Sequence, residues 1–512
     1  MTSVRKPLIV LTAGALVTLL VAGGCGSNTS TGLGDGVTPT GSATVGDSGL
    51  SKLPSGLSTG DGGQSGFNAV SVGDATTTTQ NASCTPGTLG CFVRADCVTT
   101  MTGTVRDPAG RNPIYNAVVF IPQDPKGTIP PITPGTKTCN TCDVSIGNYV
   151  AAAQTDYKGN FKLTGVPATK NVPLVVQIGK WRREVVLPTV TACTNNVVAA
   201  ANSRLPAKKS EGDMPQMALL TGGADDLGCF MAGLGIDPSE WTPPQGGGRL
   251  DVYRGVGGED LASSNAGDCT GSTCPLWSTK PDLEHYDIAI LACEGGENNQ
   301  TKSAAQKLNM HDWLDEGGKV FATHFHYTWF KNGPADFQGT ATWLGSSNGD
   351  QTGTYPIDTS FPKGMVLQEW LANLGFATGN SIALNGVANS VSTVNPPTQR
   401  WIYDSSNNND VKYMSFLTPI GGMKAAVGAD ASTESGPKYC GKAVFSDLHA
   451  GGAPPGGFFF GGGASLPGSC NTSAALTAQE AALEFLFFDL SACVADESKP
   501  PPMIPPPTQP AQ

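Results

Sequence analysis

The chain has only five histidines, and two of them, His324 and His326, stand two apart in the stretch GKVFATHFHYTW, Gly318 to Trp329. Neutral imidazole is both a metal ligand and a proton carrier near neutral pH, so a histidine pair ending an apolar run is a candidate for either role. His449 follows a second apolar run, KAVFSDL, with Asp447 two residues before it. Cys293, Glu294 and Glu297 follow a third, YDIAILA, and Thr221 and Asp225 close a fourth, MALLTGG. Several chemistries are open to such a set. His324, His326 and His449, with Glu294 or Asp447, have the donor types of a site for a divalent metal such as zinc. A His-x-His pair on a strand puts both rings on one face, which favours shared ligation. Cys293 and His449 have the types of a nucleophile and its base. Asp225, Glu294, Thr323 and Asp447, with the aromatics Tyr327, Trp329 and Trp401, have the types of a sugar or polyol pocket. The plainer alternative is that the histidines are ordinary strand-end residues, packed or hydrogen-bonded.

Strands and helices in alternation must position these groups. MALLTGG, RLDVYRG, YDIAILACEGG, KVFATHF and KAVFSDL, between Met217 and Leu448, read as buried, mostly parallel strands. A helix is expected from about Ser303 to the Gly317-Gly318 pair. Leu367, Trp370, Leu371 and Leu374 mark another that Gly375 ends, and Thr477 with Glu480 makes a capping box ahead of a last one. This order predicts a doubly wound, flavodoxin-like sheet, in which ligands bind beyond the carboxyl ends of the strands. All the residues named above, except Trp401, then fall on or beside one rim. An eight-unit β/α barrel does not fit, because the Asn/Gly/Pro-rich stretch from Asn332 to Asp410 lacks regular units.

Three of these segments together resemble the class I glutamine amidotransferase-like superfamily, especially its ThuA-like branch: YDIAILACEGG, DWLDEGGKVFATHFHYTW and GKAVFSDLHAGG. The resemblance implies an oxyanion turn after the first and a catalytic histidine, here His449, after the last. It also implies a nucleophilic cysteine on a tight elbow after KVFA, and there this chain departs: Thr323, His324 and Phe325 occupy the place. Cys293 lies on the preceding strand. Glutamine-dependent amide hydrolysis is therefore not expected.

Upstream, short strands with turns run from about Cys97 to Pro206. GTVRDPAGRNPIYNAVVF and TDYKGNFKLTGVP resemble the carboxypeptidase regulatory-like domain, a prealbumin-like β-sandwich, which implies a spacer or, less often, a carbohydrate-binding module. Before it, Arg5 and Lys6 precede the apolar run Leu8 to Ala22, too short for a comfortable membrane span, which reads as an export signal. AGGC, ending at Cys25, resembles the lipobox of bacterial lipoproteins and implies acylation of Cys25 as a membrane anchor. The Gly/Ser/Thr-rich tract that follows, to about Gln80, cannot bury enough apolar surface to offset ordering, and KPPPMIPPPTQPAQ at the end reads as extended.

The expectation is thus multidomain: signal peptide 1–24, linker 25–96, β-sandwich 97–206, α/β layer 213–495 and Pro-rich tail 496–512. A net charge of −11, with no basic cluster beyond Arg182-Arg183 and Lys208-Lys209, speaks against nucleic acid as a partner. Of 14 cysteines, acylation of Cys25 leaves an odd number for an oxidising compartment, so at least one thiol stays unpaired. Function is expected to be binding at the cell envelope, with polysaccharide as ligand class. The competing expectation is a metal-assisted or sugar-directed hydrolase on the same rim.

Overall fold

The computed structural model describes residues 84–135, 139, 146–262, 265–345, 351–423, 439–450, 465–502 and 504. All of them lie in one compact unit. Cys25, the export signal and the whole Gly/Ser/Thr-rich tract to about Gln80 lie outside the described residues.

The first layer is a β-sandwich. Strands β1 (Thr100–Thr104), β4 (Asn160–Thr164) and β7 (Asn195–Val197) form one sheet in the order β4-β1-β7. Strands β2 (Val118–Pro122), β3 (Tyr149–Gln154), β5 (Lys170–Ile178) and β6 (Trp181–Thr189) form the other, ordered β3-β2-β5-β6. Alternation works here as expected: Phe161 and Leu163 of β4 point inward while Asn160 and Lys162 stay exposed. The expected linker ends earlier than 96, because Leu89 is buried and its N–H donates to Gln123 O at 2.9 Å. Disulfides Cys84–Cys91 and Cys97–Cys193 staple this entry segment.

The second layer is built on a sheet whose parallel core runs through β8 (Met217–Thr221), β9 (Leu250–Arg254), β10 (Ile288–Leu291), β11 (Lys319–Thr323) and β13 (Gly441–Ser446). Their spatial order is β9-β8-β10-β11-β13, all neighbours parallel. Counted from β8 this is 2-1-3-4-5, the flavodoxin-like order. Apart from Arg254 at the end of β9, every residue of these strands is buried, which is why they read as continuous apolar runs. Beyond β13 the sheet continues antiparallel through β12 (Asp410–Thr418), then Val391–Val394 and Ala341–Trp343. Helices α1 (Leu227–Gly233), α2 (Ala304–Asp315), α3 (Pro362–Asn373) and α4 (Ala478–Ser491) complete the layer. Ser303 with Gln306 and Thr477 with Glu480 form capping boxes at α2 and α4, and Gly375, at φ +83°, stands just beyond α3.

The sandwich is packed against the α/β layer through a shared core rather than spaced from it. Ile114, Trp181, Trp370, Phe485 and Phe488 belong to the same buried cluster. Trp370 Nε1 donates to Pro113 O at 2.8 Å, the rings of Tyr115 and Phe485 stack at 6.1 Å, and Arg111 reaches the carbonyls of Ala474 and Gly233. Disulfide Cys139–Cys440 ties the insertion between β2 and β3 to the segment before β13. Under the sheet, Lys442 and Lys363 meet Asp489 of α4 at 2.5 and 2.7 Å, all four groups with Glu497 being buried. Among the described residues, no helix is long and apolar enough to cross a membrane.

Candidate functional site

The strand order reverses between β8 and β10, the point beyond whose carboxyl ends open α/β sheets bind ligands. The loop after β8 reaches across to the end of β10. Ala224 N donates to Cys293 O at 3.0 Å, and a Cβ on Gly222 would lie 2.5 Å from Ala292 O, so only glycine permits that approach. Cys293, just past β10, is held by this contact and by its own N–H on Thr323 Oγ1 at 3.0 Å.

β11 ends at Thr323, one residue before the histidine pair. His324 takes φ +40° and opens a 3-10 turn, His324–Tyr327. A left-handed backbone at a residue with a Cβ costs roughly 1–3 kcal/mol. The tight elbow that the amidotransferase resemblance implied after KVFA is thus present as a backbone feature, with histidine at its apex. The expectation that His324 and His326 share a strand face fails for the same reason: they no longer sit on a strand.

Cys293, His324 and His449 converge. His324 Nδ1 lies 3.1 Å from His449 Nε2 and 3.5 Å from Cys293 Sγ, and one donor atom from each of the three lies within 4.8 Å of the others. All are buried, Cys293 at 0%, His449 at 2% and His324 at 7% exposure. His449 Nδ1 donates to Gly386 O at 3.1 Å, which turns Nε2 toward the other two groups. Cys293 is the free cysteine among the described residues, while Cys229–Cys470 and Cys269–Cys274 pair and Cys493 is also disulfide-bonded. Asp225 stands beside the triad: its Oδ1 accepts from Ala450 N at 2.7 Å and its buried Oδ2 has no hydrogen-bond partner among the described residues.

The other expected site residues are engaged elsewhere. His326 Nε2 donates to Ala292 O at 2.9 Å and its Nδ1 accepts from Trp329 Nε1 at 3.2 Å, so neither nitrogen is left for a metal. Glu294 is spent on Lys302 Nζ at 2.6 Å and on Val256 N at 2.9 Å. Asp447 holds Ser390 through its N–H and hydroxyl, both at 2.7 Å. Thr323 and Thr221 bond backbone carbonyls. Trp329 packs edge-on against Trp277, and Tyr327 and Trp401 are equally buried, so none offers a face for stacking on a sugar. Glu297 accepts from Tyr327 OH at 2.8 Å.

Charge follows burial. Burial lowers His326 to about 4, with Lys302 adding to the effect, and burial together with His449 and His326 puts His324 well below the ordinary imidazole range. Burial also pulls on His449, but the Cys293 thiol and the Asp225 carboxylate outweigh it and hold it at about 10. Asp225 and Asp447 are each raised to about 6, burial being the main cause. The triad therefore brings a sulfur and two imidazoles into one buried volume, with His449 the ring that holds a proton as long as no cation takes its place at Nε2.

No family model matches the chain, and no curated protein matches it. Among solved structures it is similar to a thua-like protein from Bacteroides uniformis, at 12% identity and a TM-score of 0.24, over 46% of this chain and 80% of that one. It is also similar to the cytoplasmic protein STM1381 from Salmonella typhimurium, at 11% identity and a TM-score of 0.25, over 45% and 86%. A cohesin–X-dockerin complex from Acetivibrio cellulolyticus is similar at 16% identity and a TM-score of 0.14, over 23% and 67%. The fold assignment above rests on the chain's own strand order.

Proposed function

We propose that this chain is an exported protein, anchored to a membrane through an acylated Cys25, whose α/β layer carries a hydrolase-type reaction centre acting on polysaccharide of the cell envelope. The observation that carries the reading is the meeting of Cys293, His324 and His449, from three different strand ends, within 4.8 Å. Packing alone has no use for a thiol and two imidazoles in one apolar volume, and such clusters of perturbed groups gather at functional sites. The disulfides support the export half, since they persist in oxidising compartments.

A second reading, a polysaccharide-binding protein without turnover, is favoured by the burial of the triad, His324 being only 7% exposed. The full chain, incubated with a panel of envelope and plant glycans, decides between them through release of reducing ends and through retention on the same glycans. Turnover lost in Cys293→Ser, His324→Ala and His449→Ala supports the hydrolase. Retention that survives all three substitutions without turnover supports the binder, and neither turnover nor retention removes polysaccharide from both. Unchanged membrane fractionation and mature mass in Cys25→Ser would reject the anchor.

A further inference from the structure

We infer that Cys293, His324 and His449 are the three protein ligands of a zinc-class divalent cation. This deepens the hydrolase reading by naming the cofactor of the same centre, and rests on it for its function but not for its chemistry.

The spacing carries the inference. With metal–nitrogen bonds of about 2.0–2.1 Å and metal–sulfur bonds of about 2.3 Å, a tetrahedral site places two nitrogens about 3.3–3.4 Å apart and a nitrogen and a sulfur about 3.5–3.6 Å apart. The structure has 3.1 Å between His324 Nδ1 and His449 Nε2, and 3.5 Å between His324 Nδ1 and Cys293 Sγ. These are close to the edges of one coordination polyhedron. Each donor is also aimed by its surroundings. His449 donates Nδ1–H to Gly386 O at 3.1 Å, the outer bond that orients a ligating histidine, so a cation that displaces the proton on Nε2 meets a lone pair already aimed at it. Cys293 is fixed through its N–H on Thr323 Oγ1, and His324 by an elbow with φ +40°. The strain at His324 has a use if it delivers a ring nitrogen to a fixed point.

Two further observations point the same way. A buried thiol stays reduced here although the other described cysteines are paired, and thiolate ligation to a metal gives such a cysteine a role that disulfide formation would abolish. Asp225, buried and next to His449, adds a carboxyl group on the edge of the site whose Oδ2 has no geometric hydrogen-bond partner among the described residues. Three protein ligands are the number found in catalytic zinc sites, which leave the fourth position to water or substrate.

The test uses the full chain purified without chelator. Elemental analysis is expected to find stoichiometric zinc, retained in His326→Gln, whose ring points away, and lost in Cys293→Ser and His449→Gln. Because a ligand variant can misfold, the wild type itself supplies the second measurement: exchange with cobalt should give tetrahedral d–d bands and a thiolate-to-cobalt charge-transfer band. Cobalt bound without the charge-transfer band, or zinc unchanged in a folded Cys293→Ser, overturns the inference. A metal-free wild type, unable to take up zinc yet turning over substrate, overturns it while the hydrolase reading stands on a Cys293–His449 dyad. Stoichiometric metal without turnover does the reverse.

Discussion

The contact between the sandwich and α4 hides a pair of acids whose replacement should stabilise the protein. Glu484 is fully buried in α4, and Asp107, in the turn after β1, faces it. Asn112 Nδ2 donates to Glu484 Oε2 at 2.5 Å and Arg111 N donates to Asp107 Oδ1 at 2.6 Å, but Glu484 Oε1 and Asp107 Oδ2 are buried with no donor among the described residues. Burial, then the Asp107 charge, lifts Glu484 well above the ordinary carboxylate range, with Arg111 only partly opposing; burial also raises Asp107. The folded state therefore holds protons that the unfolded chain releases at about pH 4. The stability this contributes is fully present below the unfolded value and is lost as pH rises toward the folded one, at up to about 1.4 kcal/mol per pH unit for each extra proton held. Glu484→Gln keeps the shape, removes one titration, and supplies an amide N–H to Asp107 Oδ2. At about pH 8 it should gain about 1–3 kcal/mol, the scale of one buried unsatisfied acceptor, and at about pH 4 almost nothing. Urea unfolding of both proteins across this range measures the difference directly, because every titrating group except the neighbouring Asp107 cancels. A difference that is flat with pH, or a variant weaker at every pH, would refute the argument that the folded state holds the Glu484 proton.

Trp370→Ala should destabilise by about 3–5 kcal/mol, since a fully buried indole on Phe485 and its bond to Pro113 O are both lost; Trp370→Phe, tested by the same urea titration, should recover most of the packing but not the bond. Lys302→Met strands the buried Glu294 carboxylate, and thermal or urea unfolding should show a loss of about 3–5 kcal/mol. Thr477→Ala removes the cap of α4, with an expected loss of about 1 kcal/mol, whereas Thr477→Ser should sit within error of wild type.

The parallel half of the sheet was legible in the sequence because strands covered on both faces become apolar runs, and the helices because their capping boxes are local. The antiparallel half was not. Strand β12 is buried along its whole length, yet Asp410 and Lys412 interrupt its apolar pattern. Lys412 is accommodated by distant partners, Ala388 O at 3.1 Å, Asn389 Oδ1 at 2.8 Å and Gln351 Oε1 at 3.3 Å, which no local pattern reveals. The packing of sandwich on α/β layer escaped for a related reason. Trp370 and Tyr115 read as members of their own elements, and nothing in their spacing says that each anchors the other layer. The rim was predicted through strand ends, and Cys293, His324 and His449 were all among its residues. Which of them meet depended on features that leave no mark in composition or periodicity: the φ of +40° at His324, the two hydrogen bonds that occupy His326, and the Lys302 partner that takes Glu294.

That angle also bears on how the site departs from the family its segments resemble. There the resemblance implies that the elbow after the fourth parallel strand presents a nucleophilic sulfur to a histidine from the fifth. In this chain the elbow presents a ring nitrogen, His324 Nδ1, to the histidine from the fifth strand at 3.1 Å, and the sulfur comes instead from the end of the neighbouring strand, β10. The exchange keeps one point in space supplied with donors while changing what they can do. A thiol on an elbow is exposed and activated by its position, whereas a thiol under two imidazoles, with 0% exposure, is shielded from attack and from oxidation. A nucleophile must reach its substrate, but a ligand need only reach its metal. The burial that weakens the case for Cys293 as a nucleophile is therefore the same feature that suits it to ligation, and the open fourth position would then be the part of the centre that faces a substrate.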